Sequence, residues 1–187
     1  MWFLITTTGL RRAETLALRW TDLDLDDTRL TIRETVTVAD GVVVWQDDAK
    51  SNESERTVAL DARTVAILRE HRTRQAAERL AAGPAWSTHD RDRDLVFTRP
   101  DGTAIPPKSA SQMFTRRVDA VALPRIGVHG LRHTWATLAL RAGVPVKVVS
   151  ERIGHADPAI TMQIYAHALE GDDAAAAEIT AAAIFGD

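Results

Sequence analysis

Residues 129–165 read HGLRHTWATLALRAGVPVKVVSERIGHADPAITMQIY. Their punctuation predicts three helices in a row. Leu131, Trp135, Leu138 and Ala142 recur at helical spacing, which gives a helix over 129–142 with one buried stripe. Gly143 suits its C-terminal cap. Pro145 starts a second helix that ends near Ile153-Gly154. Asp157-Pro158 is an N-cap followed by proline at the first helical position, and the helix it opens runs to about Ala168. The Ala-rich stretch from Asp172 to Phe185 predicts a fourth helix.

Upstream, the pattern changes. Met1–Thr8 is apolar and Thr-rich, which reads as a helix end. Gly9 allows a turn, and Leu16, Leu18 and Trp20 mark a short helix over 14–20. Arg29–Val38 alternates like a strand, with a break at Glu34. Asp40-Gly41 is a hairpin signal, Val42–Trp45 is a second strand, and Arg56–Leu60 a third. A small three-stranded antiparallel meander follows. Ala62–Ala82 is a helix on Val65, Leu68, Arg72, Ala76 and Leu80, ended by Gly83-Pro84. Asp90–Asp94 is a charged loop. Ser109–Val121 is a helix with Met113, Phe114, Val118 and Val121 apolar. The fold class is therefore α+β and mainly helical, with a helical C-terminal half.

The chain has 187 residues, 45% apolar and 26% charged, enough for one domain with a real core. It has no Cys, which excludes disulfides, a thiolate nucleophile and Cys-ligated metal sites. It also fits a reducing, cytoplasmic setting. No apolar run approaches the ~18 residues a bilayer span needs. Net charge is −3 but unevenly spread. Residues 61–155 carry 16 Lys and Arg against 9 Asp and Glu, net +7, between acidic ends of net −4 and −6. A basic centre fits a polyanion on one face; unevenly solvated surfaces account for it as well.

The candidate chemistry is scattered. His129, Arg132 and His133 lie at i, i+3 and i+4, on one face near a helix N-terminus, where anions are favoured. The same triplet is equally a solvated polar face. His129 and His133 have the spacing of a zinc-protease helix, but Gly130 stands where its catalytic Glu belongs. Tyr165 is the only tyrosine, and a lone tyrosine is most often a half-buried core anchor. His155 follows a glycine. Arg11, Arg12 and Glu14 follow Gly9, and Lys50 sits between two predicted strands.

Taken in order, Thr8-Gly9-Leu10-Arg11-x-x-Glu14, a hairpin lysine, His129-x-Leu131-Arg132-His133-Thr134, Gly154-His155 and Tyr165 resemble the catalytic domain of the tyrosine recombinases, the phage integrase family. The likeness runs from Thr6 to about His167. It implies a DNA breaking-and-rejoining catalytic domain over 1–187, with a tail helix over 170–187. It also implies N-terminal DNA-binding domains, and a fuller first helix, lying ahead of Met1. Six positions carry the family's residue types: Arg11, Lys50, His129, Arg132, His155 and Tyr165. Glu14 and His133 support them. Lys50 stands in Lys50-Ser51-x-x-Ser54-x-Arg56-Thr57, which fits the family pattern; Ala13 departs from the commoner Gly or Ser.

The implied reaction is transesterification. Tyr165 Oη attacks a DNA phosphorus, forming a 3′-phosphotyrosine and releasing a 5′-hydroxyl. Arg11 and Arg132 clamp the non-bridging oxygens. Lys50 protonates the leaving oxygen. His129 takes the phenol proton or orients the phosphate, and His155 donates a hydrogen bond. No metal and no cofactor is expected. The expected partner is double-stranded DNA, bound by a homotetramer on paired sites, although an isolated domain can be monomeric. Arg72, Arg74, Arg79, Arg91, Arg93, Arg116, Arg117 and Arg125 are candidates for backbone phosphates. Three rival readings are a type IB topoisomerase, a metal hydrolase built on His129, His133 and His155, and a DNA-binding module without catalysis. The last takes the helices at 145–153 and 158–168 as a helix-turn-helix.

Overall fold

The structure is a computed structural model that describes residues 1–47, 55–87, 93–121, 124–155, 157–166 and 173–186. Among these it has eight α-helices and two small antiparallel sheets. Helix α1 spans Trp2–Thr8 and α2 Arg12–Ala17. The Thr-rich end of α1 folds its hydroxyls back on the helix, Thr6 donating to the Trp2 carbonyl at 3.0 Å and Thr7 to that of Phe3 at 3.1 Å. Gly9 stops it at φ 72°, a conformation that side chains disfavour.

Strands β1 (Leu23–Asp24), β2 (Arg29–Ile32) and β5 (Arg56–Ala59) form one sheet in the order β1-β2-β5. Strands β3 (Glu34–Ala39) and β4 (Val42–Asp47) form the second, a hairpin pairing Val36 with Trp45. The expected single strand over 29–38 is therefore two strands, and the meander is divided. The reason lies at Glu34. Its carboxylate ion-pairs with Arg19 and, at 2.7 Å, with Arg93, and this inward charge interrupts the alternation after Ile32. The third strand of the main sheet is the short β1, which the sequence pattern does not announce.

Helix α3 (Ala62–Ala82) is capped by Asp61, whose side chain accepts from the Thr64 amide at 3.0 Å. It buries Thr64, Val65, Leu68 and Gln75, whereas Leu80, expected in its stripe, is 84% exposed. Beyond Leu68 a polar network replaces the apolar seam. Gln75 Oε1 accepts from Trp20 Nε1 at 2.7 Å, and its Nε2 donates to the carbonyls of Leu95 and Val96 at 3.2 Å each. Helix α4 (Pro107–Ala120) buries Ala110, Phe114 and Val118 and leaves Met113 and Val121 exposed.

The C-terminal helices follow the expected punctuation. They are α5 (Val128–Arg141), α6 (Val146–Ile153), α7 (Pro158–Tyr165) and α8 (Asp173–Phe185). Asp157 caps α7 through the Ala159 amide at 2.8 Å. The buried face of α5 is Val128, Arg132, Ala136 and Leu140 rather than the Leu131–Trp135–Leu138 stripe. Leu131 and Trp135 are half-buried and Leu138 is exposed. The face is turned because an arginine, not an apolar residue, occupies its centre.

Three clusters of buried residues organise the molecule. The largest joins α1, α2, α3 and the main sheet through residues such as Leu10, Leu16, Leu30, Ile32, Val58 and Leu68. A second sets Ile5 of α1 against Phe114, Val118 and Val128. The third is Ala136, Leu140, Val149, Ile153 and Tyr165, which joins α5, α6 and α7. The seams between these clusters position the site.

Replacing Gln75 with Ala strands the buried Trp20 N–H and removes a donor from the Leu95 carbonyl, while the Val96 carbonyl keeps His71 Nε2 at 2.7 Å. We expect a loss of about 2–3 kcal/mol in urea unfolding with an unchanged slope. A change below about 0.5 kcal/mol would show the network to be dispensable.

Candidate active site

Glu14, on α2, is fully buried at 0% exposure. Its Oε2 accepts the Arg11 backbone amide at 2.7 Å, and its Oε1 accepts Arg11 Nη1 at 2.8 Å. Oε2 also accepts Arg56 Nη2 at 2.9 Å. Burial alone would push this carboxyl up, but the Arg56 charge and hydrogen bond, with Arg11 behind them, hold it below the usual carboxylate range. The expected supporting role of Glu14 thus has a geometric content: it fixes the fork of Arg11.

Two further bonds carry this pair to the α6–α7 turn. Arg11 Nη2 donates to the Gly154 carbonyl, and Arg56 Nε donates to that of Arg152 at 3.0 Å. Gly154 has φ 68°, and a Cβ there would lie 2.6 Å from Arg56 Nη1. The turn bearing His155 therefore rests directly on the Arg56 guanidinium. Arg56 is a site residue that sequence reasoning quoted only as part of a pattern; its partners lie 42 and 96 positions away, and no local signal marks it.

Arg132 enters from α5. It is 3% exposed, and its Nη1 donates to the Gly9 carbonyl at 2.9 Å. Among the described residues it has no ion pair. Burial, with Arg11 adding to it, lowers its pKa to about 10. Glu14 has already committed both oxygens elsewhere. The site therefore sets three guanidinium groups, Arg11, Arg56 and Arg132, around one carboxylate. An excess of buried positive charge without a partner is costly, and an anion relieves it.

Three histidines surround this charge. His133 Nδ1 lies 2.7 Å from Tyr165 Oη, and His129 packs edge-on against His133 with ring centroids 4.3 Å apart. Burial and the Arg132 charge lower the pKa of His133, and with the ring proton on Nε2 its Nδ1 accepts the phenol O–H. Burial, then His133 and the arginines, lowers His129 likewise. His155 Nδ1 is 2.9 Å from Thr161 Oγ1 on α7. Burial and the charges of Arg132 and Arg11 bring its pKa down to about 4. Thr161, fully buried, is a second residue that sequence reasoning missed.

Tyr165 is 2% exposed, its ring packed in the α5–α6–α7 cluster. Burial raises its pKa, and Arg132 works against that rise. The half-buried ring with a surface hydroxyl, expected of an ordinary core tyrosine, is not what is found. The ring is enclosed and the oxygen meets the histidine and arginine cluster. A cleft of about 440 Å3 adjoins it, lined by Leu10, Arg11, Arg12, Ala13, Ser111, Gly127, Val128, His129 and Arg132. A larger hollow of about 1030 Å3, between β1, β2 and α3, holds arginines already matched by Asp22, Asp24 and Asp26.

Of the predicted site, Arg11, His129, Arg132, His155, Tyr165, Glu14 and His133 converge. Lys50 lies outside the described residues, as does Arg91. The remaining basic candidates line no part of the 440 Å3 cleft. Arg72 lies over the Trp20 ring, Arg74 meets His71, and Arg79 pairs with Asp94. Arg93 pairs with Glu34 beneath Trp45, and Arg125 pairs with Asp119. Arg116 and Arg117 stand on the exposed side of α4. Among the described residues no three His, Asp or Glu side chains gather as a metal site would require, and no helix is long and apolar enough to cross a membrane.

Comparison with known proteins gives the family. Residues 1–171 match the phage integrase family. The chain belongs to that family. It is 33% identical over 177 residues to the tyrosine recombinase XerC-like protein of Caldanaerobacter subterraneus, covering 90% of this chain and 45% of that one. It is 31% identical over 132 residues to an integrase of Streptomyces ambofaciens, covering 66% and 33%. Its fold is similar to the Tn1549 transposon integrase, solved in complex with transposon right end DNA, with a TM-score of 0.81 at 22% identity over 97% of this chain and 57% of that one. The chain spans less than half the length of these two curated relatives.

Two outcomes test the electrostatics. Glu14→Gln leaves Arg11 and Arg56 as uncompensated as Arg132, so urea unfolding should show a loss of about 3 kcal/mol, partly restored by sulfate. A loss under about 1 kcal/mol would mean that the carboxylate is not what balances the site. His155 has a folded pKa of about 4 against about 6.5 when unfolded. Above pH 6.5 both states are neutral. As pH falls from 6.5 to 4 the unfolded chain takes up the proton first, so stability declines. The decline should be shallower in His155→Gln, and an unchanged slope in urea titrations across that range would contradict the assignment.

Proposed function

We propose that this chain is the catalytic domain of a site-specific DNA recombinase that cuts and rejoins strands through a 3′-phosphotyrosyl intermediate. The observation that carries this reading is Arg132, a buried guanidinium without a carboxylate partner among the described residues, beside a phenol hydrogen-bonded to a histidine. A phosphodiester supplies the missing negative charge. The names of the relatives and the DNA in the complex of the similar fold agree with that substrate.

In this reading Tyr165 Oη attacks the phosphorus, a P–Oη bond forms and the bond to the 5′-oxygen breaks. Arg11 and Arg132 bind the non-bridging oxygens, whose charge grows in the transition state. The phenol proton passes to the histidine pair; the 2.7 Å contact favours His133 as the first acceptor, with His129 behind it. His155, set by Thr161, donates to the phosphate. Lys50 is the acid for the leaving 5′-oxygen. The phosphotyrosine retains the energy of the broken bond, so rejoining needs no cofactor.

With its ring in the α5–α6–α7 core, Tyr165 reaches a phosphate when α7 shifts. That helix shows Ile160, Met162 and Ile164 on its outer side, and α8 exposes Ile179, Ile184 and Phe185. These apolar surfaces support docking of the tail on a neighbouring protomer and a tetramer on paired double-stranded sites. Further DNA-binding sequence ahead of the catalytic domain fits the greater length of the relatives.

The test is a nicked suicide duplex taken from the DNA that flanks the coding region. Wild type should give an SDS-resistant protein–DNA adduct in the presence of EDTA. Tyr165→Phe should lose more than 99% of it while DNA affinity stays within about twofold. An adduct surviving in that variant would move the nucleophile elsewhere, and dependence on a divalent metal would favour a hydrolase.

A further inference from the structure

The cleft beside the catalytic cluster holds more positive charge than one phosphate uses. Arg11, Arg12, His129 and Arg132 line it, and among the described residues no Asp or Glu does. Arg11 and Arg132 converge on the histidines and Tyr165. Arg12, the first residue of α2, is turned to a different wall. Its Nη1 donates to Ser111 Oγ on α4, and its Nε is buried with no partner. Among the described residues it forms no ion pair. The other described arginine with an unpartnered buried Nε, Arg152, has its guanidinium over Trp135 and donates to the Ala59 carbonyl. Arg12 alone combines that unmet donor with a place in the cleft.

The opposite wall is bare. At Gly127 an added Cβ would meet nothing within 4 Å, so a ligand backbone has room to approach. The Ser111 hydroxyl accepts from Arg12 and keeps its own O–H to give. A volume of about 440 Å3 is that of a ligand pocket rather than of a single phosphate group.

We propose that Arg12 and Ser111 form a second phosphate subsite, which binds the backbone phosphate next to the one attacked and so sets the register of the strand at Tyr165. The proposal rests on the recombinase reading for its ligand and adds a subsite to it. Arg12 donates through its fork, and Ser111 both holds that fork and donates its hydroxyl. Such a contact positions the strand without reading its sequence.

The experiment measures binding of a fluorescent 30-base-pair duplex of arbitrary sequence by anisotropy, at 50 to 200 mM salt. One phosphate contact contributes about 0.9 to the slope of log K against log salt. Arg12→Gln should lower the slope by about that amount, with thermal melting unchanged. Arg12→Lys should keep the slope, because the charge remains. If Arg12→Gln binds with the wild-type slope, the subsite is wrong and the recombinase reading stands. If Arg12→Lys loses as much slope as Arg12→Gln, the loss is not one of charge, and the subsite is again wrong. A wild-type protein whose DNA binding is absent even at 50 mM salt overturns both readings together.

Discussion

A single buried carboxylate organises the functional half of this molecule. Glu14 takes three hydrogen bonds on two oxygens, two from Arg11 and one from Arg56. Through those arginines it reaches the carbonyls of Gly154 and Arg152, so helix α2, strand β5 and the α6–α7 turn share one electrostatic knot. These elements belong to different parts of the chain; α2 and β5 bury apolar residues in one cluster, and α6 and α7 in another. Hydrophobic packing alone is not directional. The forked ion pairs supply the direction, because a guanidinium donates its hydrogen bonds in its own plane.

The knot also explains why the site is charged rather than merely polar. With Glu14 saturated, Arg132 meets only the Gly9 carbonyl among the described partners. The folded protein thus carries an unmet demand for an anion at the one place where a phenol and three histidines meet. Burial, with the same field adding to it, lowers the pKa of all three histidines, and a neutral ring is the state in which a ring nitrogen accepts a proton. In the proposed reaction the arginines attract phosphate and add to the burial that prepares a base. In that reading a bound phosphate cancels part of the field, and the histidines become easier to protonate.

The helical C-terminal half was legible from Gly143, Pro145, Gly154 and Asp157-Pro158, because caps and turns are local. The spacing of His129, Arg132 and His133 correctly gave one end of one helix. The burial of Arg132 was not legible: a hydrophobicity period looks for apolar residues and therefore chose Leu131, Trp135 and Leu138. What buries Arg132 is a backbone oxygen 123 positions away, which no pattern within the helix contains. Glu34 misled the strand reading in the same manner, since its partners, Arg19 and Arg93, lie in distant segments. The role of Arg56, quoted only within a pattern, and Thr161 altogether were missed because each acts through a contact remote from any motif. In each case the missed feature is a polar residue whose burial is made possible by something remote in sequence.

Gly9 shows how far this dependence extends. Its φ of 72° ends α1, a Cβ on it would sit 2.6 Å from the Trp135 ring, and its carbonyl holds Arg132. A residue with no side chain therefore governs where the central cation sits. A substitution at this position acts on a backbone torsion and on the thickness of an indole. Even an alanine here, conservative by every measure of polarity, changes the aim of a charge it never touches.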